Sequence, residues 1–300
     1  MSVNNFLQPE TLYRLVCRPA LPRDTPDVME LTSRIWEGDD YVPYVWADWM
    51  LDYQGLLAVA EYGGRVVGLG KLTRLDPASW WLEGLRVHPE YEGRRIASRL
   101  HEYLLAHWQK VGREVLRLAT TSTREAVKHL CERTGFRKML EVTSFIAAPI
   151  PVEKAPFAPL EACDLDAALE FALGCQTLAA SAGLVELDWC WAVPARQHLE
   201  GAQERSGAWW WAPEGERRGL LLARPDEHDG KKLLMIQMIA SAAEELPACL
   251  QDCRTLAAEL GRELVAWFAP LHPLVVEALQ TAGYHRDWDD ALYIYTLRRL

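Results

Sequence analysis

The stretch from Trp80 to Leu105, WWLEGLRVHPEYEGRRIASRLHEYLL, constrains the fold of this 300-residue chain more than any other. It begins with a run of aromatic and aliphatic residues that ends at His88-Pro89, which is typical of a buried strand. The next residues are mostly charged or glycine, and apolar residues then recur at helical spacing from Ile96. The pattern predicts a strand, a tight polar loop and an amphipathic helix.

A basic, glycine-containing loop that opens a helix is physically an anion site. The first backbone N–H groups of a helix have no intrahelical acceptor, and the helix dipole favours negative charge there. Arg94, Arg95 and Arg99 add full positive charges at the same end. The stretch therefore predicts a pyrophosphate-binding site.

Length and composition favour two cytoplasmic domains, which we place at residues 1–150 and 151–300. The chain has no run of 18 apolar residues that would span a membrane, and its first 15 residues lack the pattern of a secretion signal. Seven scattered cysteines without C-x-x-C spacing favour reduced thiols and predict no metal site. The net charge of −10 argues against nucleic-acid binding, which depends on phosphate neutralisation.

The order of predicted elements indicates an α/β fold with a mixed sheet covered by helices. In residues 12–148 a strand, two helices, a three-strand meander, a helix, a strand, a helix and a last strand follow one another. Four prolines in residues 149–159 predict a linker. Residues 160–300 repeat the same order weakly, which predicts a tandem second copy.

The segment LRVHPEYEGRRIASRL, followed by a strand, a helix and ERTGF, resembles the GNAT superfamily of acetyl-CoA-dependent N-acetyltransferases. In that family the loop has Arg or Gln, two variable residues, Gly, one variable residue, and Gly or Ala. These positions fall on residues 92–97 here. Ala97 fits the pattern, whereas Glu92 and Arg95 depart from it.

The resemblance implies that acetyl-CoA binds to the backbone of the strand and to the loop. The strand would hold the pantetheine arm, and the loop would hold the pyrophosphate. The implied contacts are Leu85, Arg86, Val87, Glu92, Gly93, Arg94, Arg95, Ile96, Ala97, Ser98 and Arg99.

Two residues are candidates for proton transfer. Glu83 lies two residues before Leu85, where family members often carry a general base, although a surface carboxylate on an edge of the sheet explains it equally well. Cys131 stands where the family often has a Tyr that protonates the leaving thiolate, and plain packing of a buried Cys is the competing interpretation. Water is a further candidate for this proton delivery.

The segment EGDDYVP is the candidate acceptor site, since substrate selection in this fold usually falls to the first two helices. Asp39 and Asp40 suit a cationic amine, and Trp36 or Tyr41 suits stacking on it. An exposed acidic turn explains the segment equally well. The segment also resembles the histidine N-acetyltransferase-like branch of the family, which hints at an amino-acid-like acceptor.

The second half lacks the basic loop. At the equivalent position it reads SAAEELPACLQDC, and acidic residues there repel a pyrophosphate. We therefore expect a degenerate copy without acetyl-CoA. Covering the first domain, shaping its acceptor pocket and forming a homodimer remain open roles for it.

The leading hypothesis for function is transfer of an acetyl group from acetyl-CoA to a primary amine of a small molecule by direct attack. Two alternatives remain open. One is acetylation of a protein or peptide amine, and the other is a non-catalytic acyl-CoA sensor.

Overall fold

The structure is a computed structural model that describes residues 15–151 and 154–299, divided into two compact units. The described part of the first unit comprises residues 15–118, 129–137 and 296–299, and the remainder forms the second unit. The predicted start of the first strand at residue 12 and the segment inspected for a secretion signal lie largely outside the described residues. The domain boundary near residue 150 refers to the two sequence copies and stays a prediction.

The first unit is built on a mixed sheet whose described strands follow the order of the chain. The first four pair antiparallel, and the last two pair parallel. The strands are β1 (Leu15–Pro19), β2 (Leu56–Tyr62), β3 (Arg65–Arg74), β4 (Ser79–Val87) and β5 (Val115–Thr121). The helices are α1 (Thr25–Thr32), α2 (Val42–Leu51), α3 (Ile96–Val111) and α4 (Glu125–Arg133), and the last residues of β5 and the first of α4 belong to the second unit.

Helices cover both faces of this sheet. Apolar residues of α1 and α2 form one core cluster with β2 and β3. On the opposite face α3 lies so close to β3 that a Cβ at Gly68 would be 3.0 Å from Leu100, and one at Gly70 would be 2.9 Å from Leu104. The side chains of β3 and β4 that face α1 and α2 are therefore different from those that face α3.

A bulge interrupts β4 in the middle of the sheet. Gly84 and Leu85 of β4 lie opposite the single residue Gly70 of β3. Gly84 has φ +63°, and a Cβ there would lie 2.5 Å from the Trp49 ring. A side chain at position 84 would thus be strained and would also clash, so the bulge requires glycine.

The second unit repeats this plan. Its described sheet runs in the order β15-β6-β13-β12-β11-β10-β7, and β12 and β13 are parallel, as β4 and β5 are. The strands, given with their full bounds, are β6 (Arg137–Ala147), β7 (Phe157–Pro159), β8 (Val185–Glu186), β9 (Trp191–Ala192), β10 (Ala208–Trp211), β11 (Gly219–His228), β12 (Lys231–Ser241), β13 (Leu264–Pro270), β14 (His285–Arg286) and β15 (Leu292–Arg298). The helices are α5 (Leu165–Gly174), α6 (Gln176–Ala180), α7 (Arg196–Glu204), α8 (Leu246–Glu259) and α9 (Pro273–Thr281).

The three consecutive tryptophans of the second unit are all buried in β10. Trp209 and Trp211 belong to the core cluster that includes α8 and α9, whereas Trp210 belongs to the cluster that includes α5 and α6. They alternate because successive side chains of a strand point to opposite faces. These residues therefore build the core on both sides of the sheet.

The predicted α/β class with a mixed sheet covered by helices is confirmed, and the second unit repeats the plan of the first. Cys175 lies between α5 and α6 and separates these two helices. The sequence did not indicate α7 or the short strands β7, β8, β9 and β14. A strand of two residues is too short to produce a periodic signal.

Candidate active site

One edge of β4 is available beyond its short pairing with β5. Within the described residues, the parallel pairing covers only Ser79–Trp81 of β4. On the edge toward β3, the His88 N–H donates to Val67 O at 2.9 Å. Because the direction of N–H groups alternates along a strand, the N–H of Val87 points away from β3. The pantetheine contact predicted for Leu85–Val87 needs such an edge.

His88 holds the start of the loop in place. Its ring is fully buried, and its Nε2 lies 3.3 Å from Glu30 Oε2. Its Nδ1 accepts a hydrogen bond from the Glu90 N–H at 3.2 Å. The imidazole therefore joins the loop to α1, which carries Glu30.

The loop ends at the N-terminus of α3, and Arg95 is the capping residue. Arg95 has φ +61° and ψ +17°, a left-handed conformation that glycine adopts most easily. The Arg99 N–H donates to Arg95 O at 3.1 Å, which starts the helical hydrogen bonds. The N–H groups of Ile96, Ala97 and Ser98 therefore precede the first full turn, where a helix binds anions.

The side chains around this helix terminus are predominantly basic and exposed. Arg94, Arg95 and Arg99 are all exposed, and the Arg94 guanidinium lies 5.2 Å from the centre of the Tyr91 ring. Glu92 and Gly93 are exposed as well, and nothing lies within 4 Å of the position that a Cβ of Gly93 would take. The structure thus brings the predicted loop residues together around one helix terminus of positive charge.

Glu83 lies in the interior of the sheet, just before the bulge. It is half-buried, and its Oε1 accepts a hydrogen bond from Thr73 Oγ1 at 2.5 Å. Its cross-strand partner is Lys71, whose fully buried ammonium group forms an ion pair with Asp52. Burial would raise the pKa of Asp52, but the hydrogen bond and the charge of Lys71 hold it below its ordinary value. Glu83 therefore faces an ordered polar region of the sheet.

The predicted acceptor residues gather around Arg86. The Arg86 guanidinium lies 4.4 Å from the ring centre of Trp36 and 5.2 Å from that of Tyr41. Asp40 is buried and accepts hydrogen bonds from Arg86 Nε at 2.9 Å and from Nη2 at 3.1 Å, whereas Asp39 is exposed. The charge of Asp40 is therefore taken up by Arg86, and its role toward an acceptor amine stays a prediction.

Cys131 lies on the buried side of α4. Its side chain is fully buried, and burial together with the Glu132 charge raises the pKa of the thiol to about 12. Its role as a general acid stays a prediction. Nearby in the sequence, Thr134 Oγ1 lies 2.9 Å from Nε2 of the buried His101 of α3.

Three polar residues of this region were missed at the sequence level. They are Lys71 and Thr73 of β3 and Arg117 of β5. A signal was present for the two cations, because each is flanked by apolar residues within a strand, in VVGLGKL and VLRLA. A charged residue at such a position is almost never buried without a specific partner.

The bulged mixed sheet and the basic loop at a helix N-terminus are the arrangement that the GNAT resemblance implies. Residues 25–136 match the acetyltransferase (GNAT) family, and this segment holds β2 to β5, the loop and α3. The match therefore identifies this segment of the chain as of the GNAT acetyltransferase type.

Relatives and solved structures agree with this assignment. Over 102 residues the chain is 30% identical to histidine N-acetyltransferase of Oreochromis niloticus. The aligned segment covers 33% of this chain and 30% of that protein. The chain thus spans less than a third of that relative. A GCN5-related N-acetyltransferase from Sphaerobacter thermophilus matches with a TM-score of 0.63 at 13% identity, over 95% of this chain and 96% of that one. A tandem GNAT protein from the clavulanic acid biosynthesis pathway matches with a TM-score of 0.58 at 15% identity, over 95% and 98%. At these identities the two structures show the fold alone.

Two classes of feature are absent from the described part of the chain. None of the helices there combines the length and the apolar character needed to cross a bilayer. Among the same residues, no cluster of three or more His, Cys, Asp or Glu side chains could hold a metal ion.

Proposed function

We propose that this protein transfers an acetyl group from acetyl-CoA to the primary amine of a small, amino-acid-like molecule. The observation that carries the proposal is the arrangement along β4. A carboxylate, a bulge, a strand edge and an anion-binding helix terminus follow one another within Glu83–Ile96. The similarity to histidine N-acetyltransferase of Oreochromis niloticus supports an amino-acid-like acceptor.

The residues present fit acetyl-CoA, which supplies an acetyl group activated as a thioester. The N–H groups at the start of α3 and the exposed Arg94, Arg95 and Arg99 suit its pyrophosphate. The free edge of Leu85–Val87 suits its extended pantetheine arm. Glu92 is exposed, so water screens its charge, and three guanidinium groups outweigh it.

Glu83 accepts a proton from the acceptor ammonium in this mechanism, because only the neutral amine is nucleophilic. The Thr73 hydroxyl donates to the Glu83 carboxylate and fixes its orientation. In this proposal the carboxylate takes the proton from the amine directly or through one intervening water. Trp36, Tyr41 and the exposed Asp39 form the mouth through which we propose that the amine enters.

We further propose a cytoplasmic location and a second unit without bound acetyl-CoA. The segment before α8 contains Glu244 and Glu245 in place of the arginines of the first unit. Glu245 Oε1 lies 3.5 Å from Arg218 Nη1. Titration of the full chain with CoA distinguishes the cases, since two equivalent sites per chain would contradict a degenerate second unit.

Release of free thiol from acetyl-CoA over a panel of amines tests the activity. We expect Glu83→Gln to lower kcat by about 10²–10⁴-fold at neutral pH and to remove the ascending limb of the pH profile. Glu102→Gln, on the exposed face of α3, is the matched control and should leave kcat unchanged. An unchanged pH profile in Glu83→Gln would remove Glu83 as the base. CoA binding at micromolar concentration without turnover of any amine would favour the non-catalytic sensor instead.

A further inference from the structure

A buried arginine in β5 has no role in the mechanism so far. Arg117 is 2% exposed, yet its Nε and Nη1 have no hydrogen-bond acceptor within residues 15–151 and 154–299. A buried polar group without a partner destabilises the folded chain, and a charged one does so more strongly. An arginine held in this state indicates that an anion binds to it during function.

The charges around Arg117 reinforce this conclusion. Arg298 is close enough for its charge to act on Arg117, and burial together with that charge lowers the pKa of Arg117 to about 10. This pKa is still far above neutral, so the guanidinium is charged. Asp76 is the nearby acid, but its Oδ1 accepts hydrogen bonds from the N–H groups of Ala78 and Ser79, both at 2.7 Å. Positive charge therefore exceeds negative charge at this place.

Arg117 lies on the same face of the sheet as Glu83. Its register partner on β4 is Trp81, and side chains of paired residues point to the same face. Trp81 and Glu83 are two residues apart, before the bulge, and share that face. The diagonal distance from the Cα of Arg117 to that of Glu83 is about 8 Å, which long side chains can bridge.

The anion is not a phosphate of the cosubstrate. Trp81 precedes Val87 by six residues, which places the loop about 20 Å farther along β4. The group that binds Arg117 must therefore belong to the molecule that reaches Glu83, the acceptor. An α-amino acid carries its amine and its carboxylate on one carbon and so presents both groups at this spacing.

We propose that Arg117 binds the carboxylate of the acceptor through its planar, bidentate guanidinium while Glu83 faces the amine. The acceptors of this chain are then free amino acids, and decarboxylated amines are poor substrates. This inference rests on the proposed acetyltransferase function and adds the class of acceptor and the residue that selects it.

The test compares amino acids with matched amines that lack the carboxylate. We expect the full chain with acetyl-CoA to acetylate L-histidine with a KM at least tenfold below that of histamine and of L-histidinamide. Tryptophan and tryptamine form a second matched pair. Equal kcat/KM values within each pair would overturn the proposal, and this comparison requires no variant to fold.

Variants then assign the effect to Arg117. Arg117→Gln should raise the KM for the amino acid 10- to 100-fold, with kcat and the kinetics of the decarboxylated amine within threefold of wild type. Arg117→Lys should bind the amino acid better than Arg117→Gln does, because lysine keeps the positive charge but lacks the planar, bidentate guanidinium. Arg113→Gln, at an exposed arginine just before β5, is the control. Equal losses for both members of a pair would show a structural role and overturn the proposal.

Binding separates this inference from the proposed activity. Calorimetric titration with imidazolepropionate, which has a carboxylate and no amine, should show binding to wild type and at least tenfold weaker binding to Arg117→Gln. Binding without turnover of any amine would refute the proposed activity and keep the carboxylate site. No difference between wild type and Arg117→Gln in this titration would refute the carboxylate site itself.

Discussion

Replacing Gly84 by alanine tests whether the bulge in β4 depends on the absence of a side chain. Two penalties act at this position. The left-handed backbone, with φ +63°, costs a non-glycine residue about 1–2 kcal/mol. The added Cβ would lie 2.5 Å from Cη2 and 2.8 Å from Cζ3 of Trp49, and displacement of a buried ring costs about 1–3 kcal/mol more. We therefore expect a total loss of about 2–5 kcal/mol in the free energy of unfolding.

Gly63→Ala is the matched control for this experiment. Gly63, in the hairpin turn between β2 and β3, has φ +61°, and nothing lies within 4 Å of the position of its Cβ. Gly63→Ala should lower the free energy of unfolding only by the cost of the left-handed backbone, about 1–2 kcal/mol. The entropy that glycine contributes to the unfolded chain is the same in both variants and cancels in their difference.

Urea denaturation followed by tryptophan fluorescence measures both losses, and amine acetylation measures the effect on the site. Gly84→Ala should also lower kcat, because Glu83 and Leu85 flank the bulge, whereas Gly63→Ala should leave kcat unchanged. Losses of stability that agree within about 0.5 kcal/mol would refute the argument, since the clash with Trp49 would then contribute nothing measurable.

Three further predictions concern charges and backbone in the first unit. Asp40→Asn should lower the free energy of unfolding by about 3–5 kcal/mol, because Arg86 is left as an unpaired buried charge. The exposed Asp39→Asn is the control and should change this free energy by less than about 0.5 kcal/mol. Equal effects of the two variants in denaturation would contradict the ion-pair argument. Arg95→Gly should raise the free energy of unfolding by about 1 kcal/mol by relieving the left-handed backbone, yet raise the KM for acetyl-CoA; a destabilised variant would show that the side chain outweighs the strain. Burial and the Arg133 charge lower the pKa of His101 to about 4, so the unfolded chain takes up its proton first. The free energy of unfolding should be highest above pH 6.5 and should fall by about 3 kcal/mol as the pH falls toward 4. In His101→Gln the free energy of unfolding should depend less on pH, if this histidine is responsible.

Several parts of the fold were readable from local patterns. The helix predicted to begin at Ile96 begins there and ends at Val111, because its apolar residues recur at helical spacing over several turns. The strands of the predicted meander were also readable, and Gly63-Gly64 forms the turn between β2 and β3. The proposed anion site was also readable, since a loop and the start of the next helix are adjacent along the chain.

The partners of charged side chains were not readable in this way. The Asp40–Arg86 ion pair joins residues 46 positions apart, and Lys71 finds Asp52 across 19 positions. The sequence treated Asp39 and Asp40 of the segment EGDDYVP alike, but burial distinguishes Asp40 from Asp39. No local pattern contains this difference, because it arises from which strand the turn packs against.

The sequence by itself determined the class of fold, the strand–loop–helix around Gly93 and the placement of a carboxylate at position 83, since each depends on residues close together in the chain. The tertiary structure decided which face of the sheet each side chain occupies. Only the pairing of β4 with β5 sets Arg117 beside Trp81 and on the same face as Glu83. The physical reason is that strand register and the bulge at Gly84 are properties of the assembled sheet, where packing and hydrogen bonding between distant segments select one arrangement.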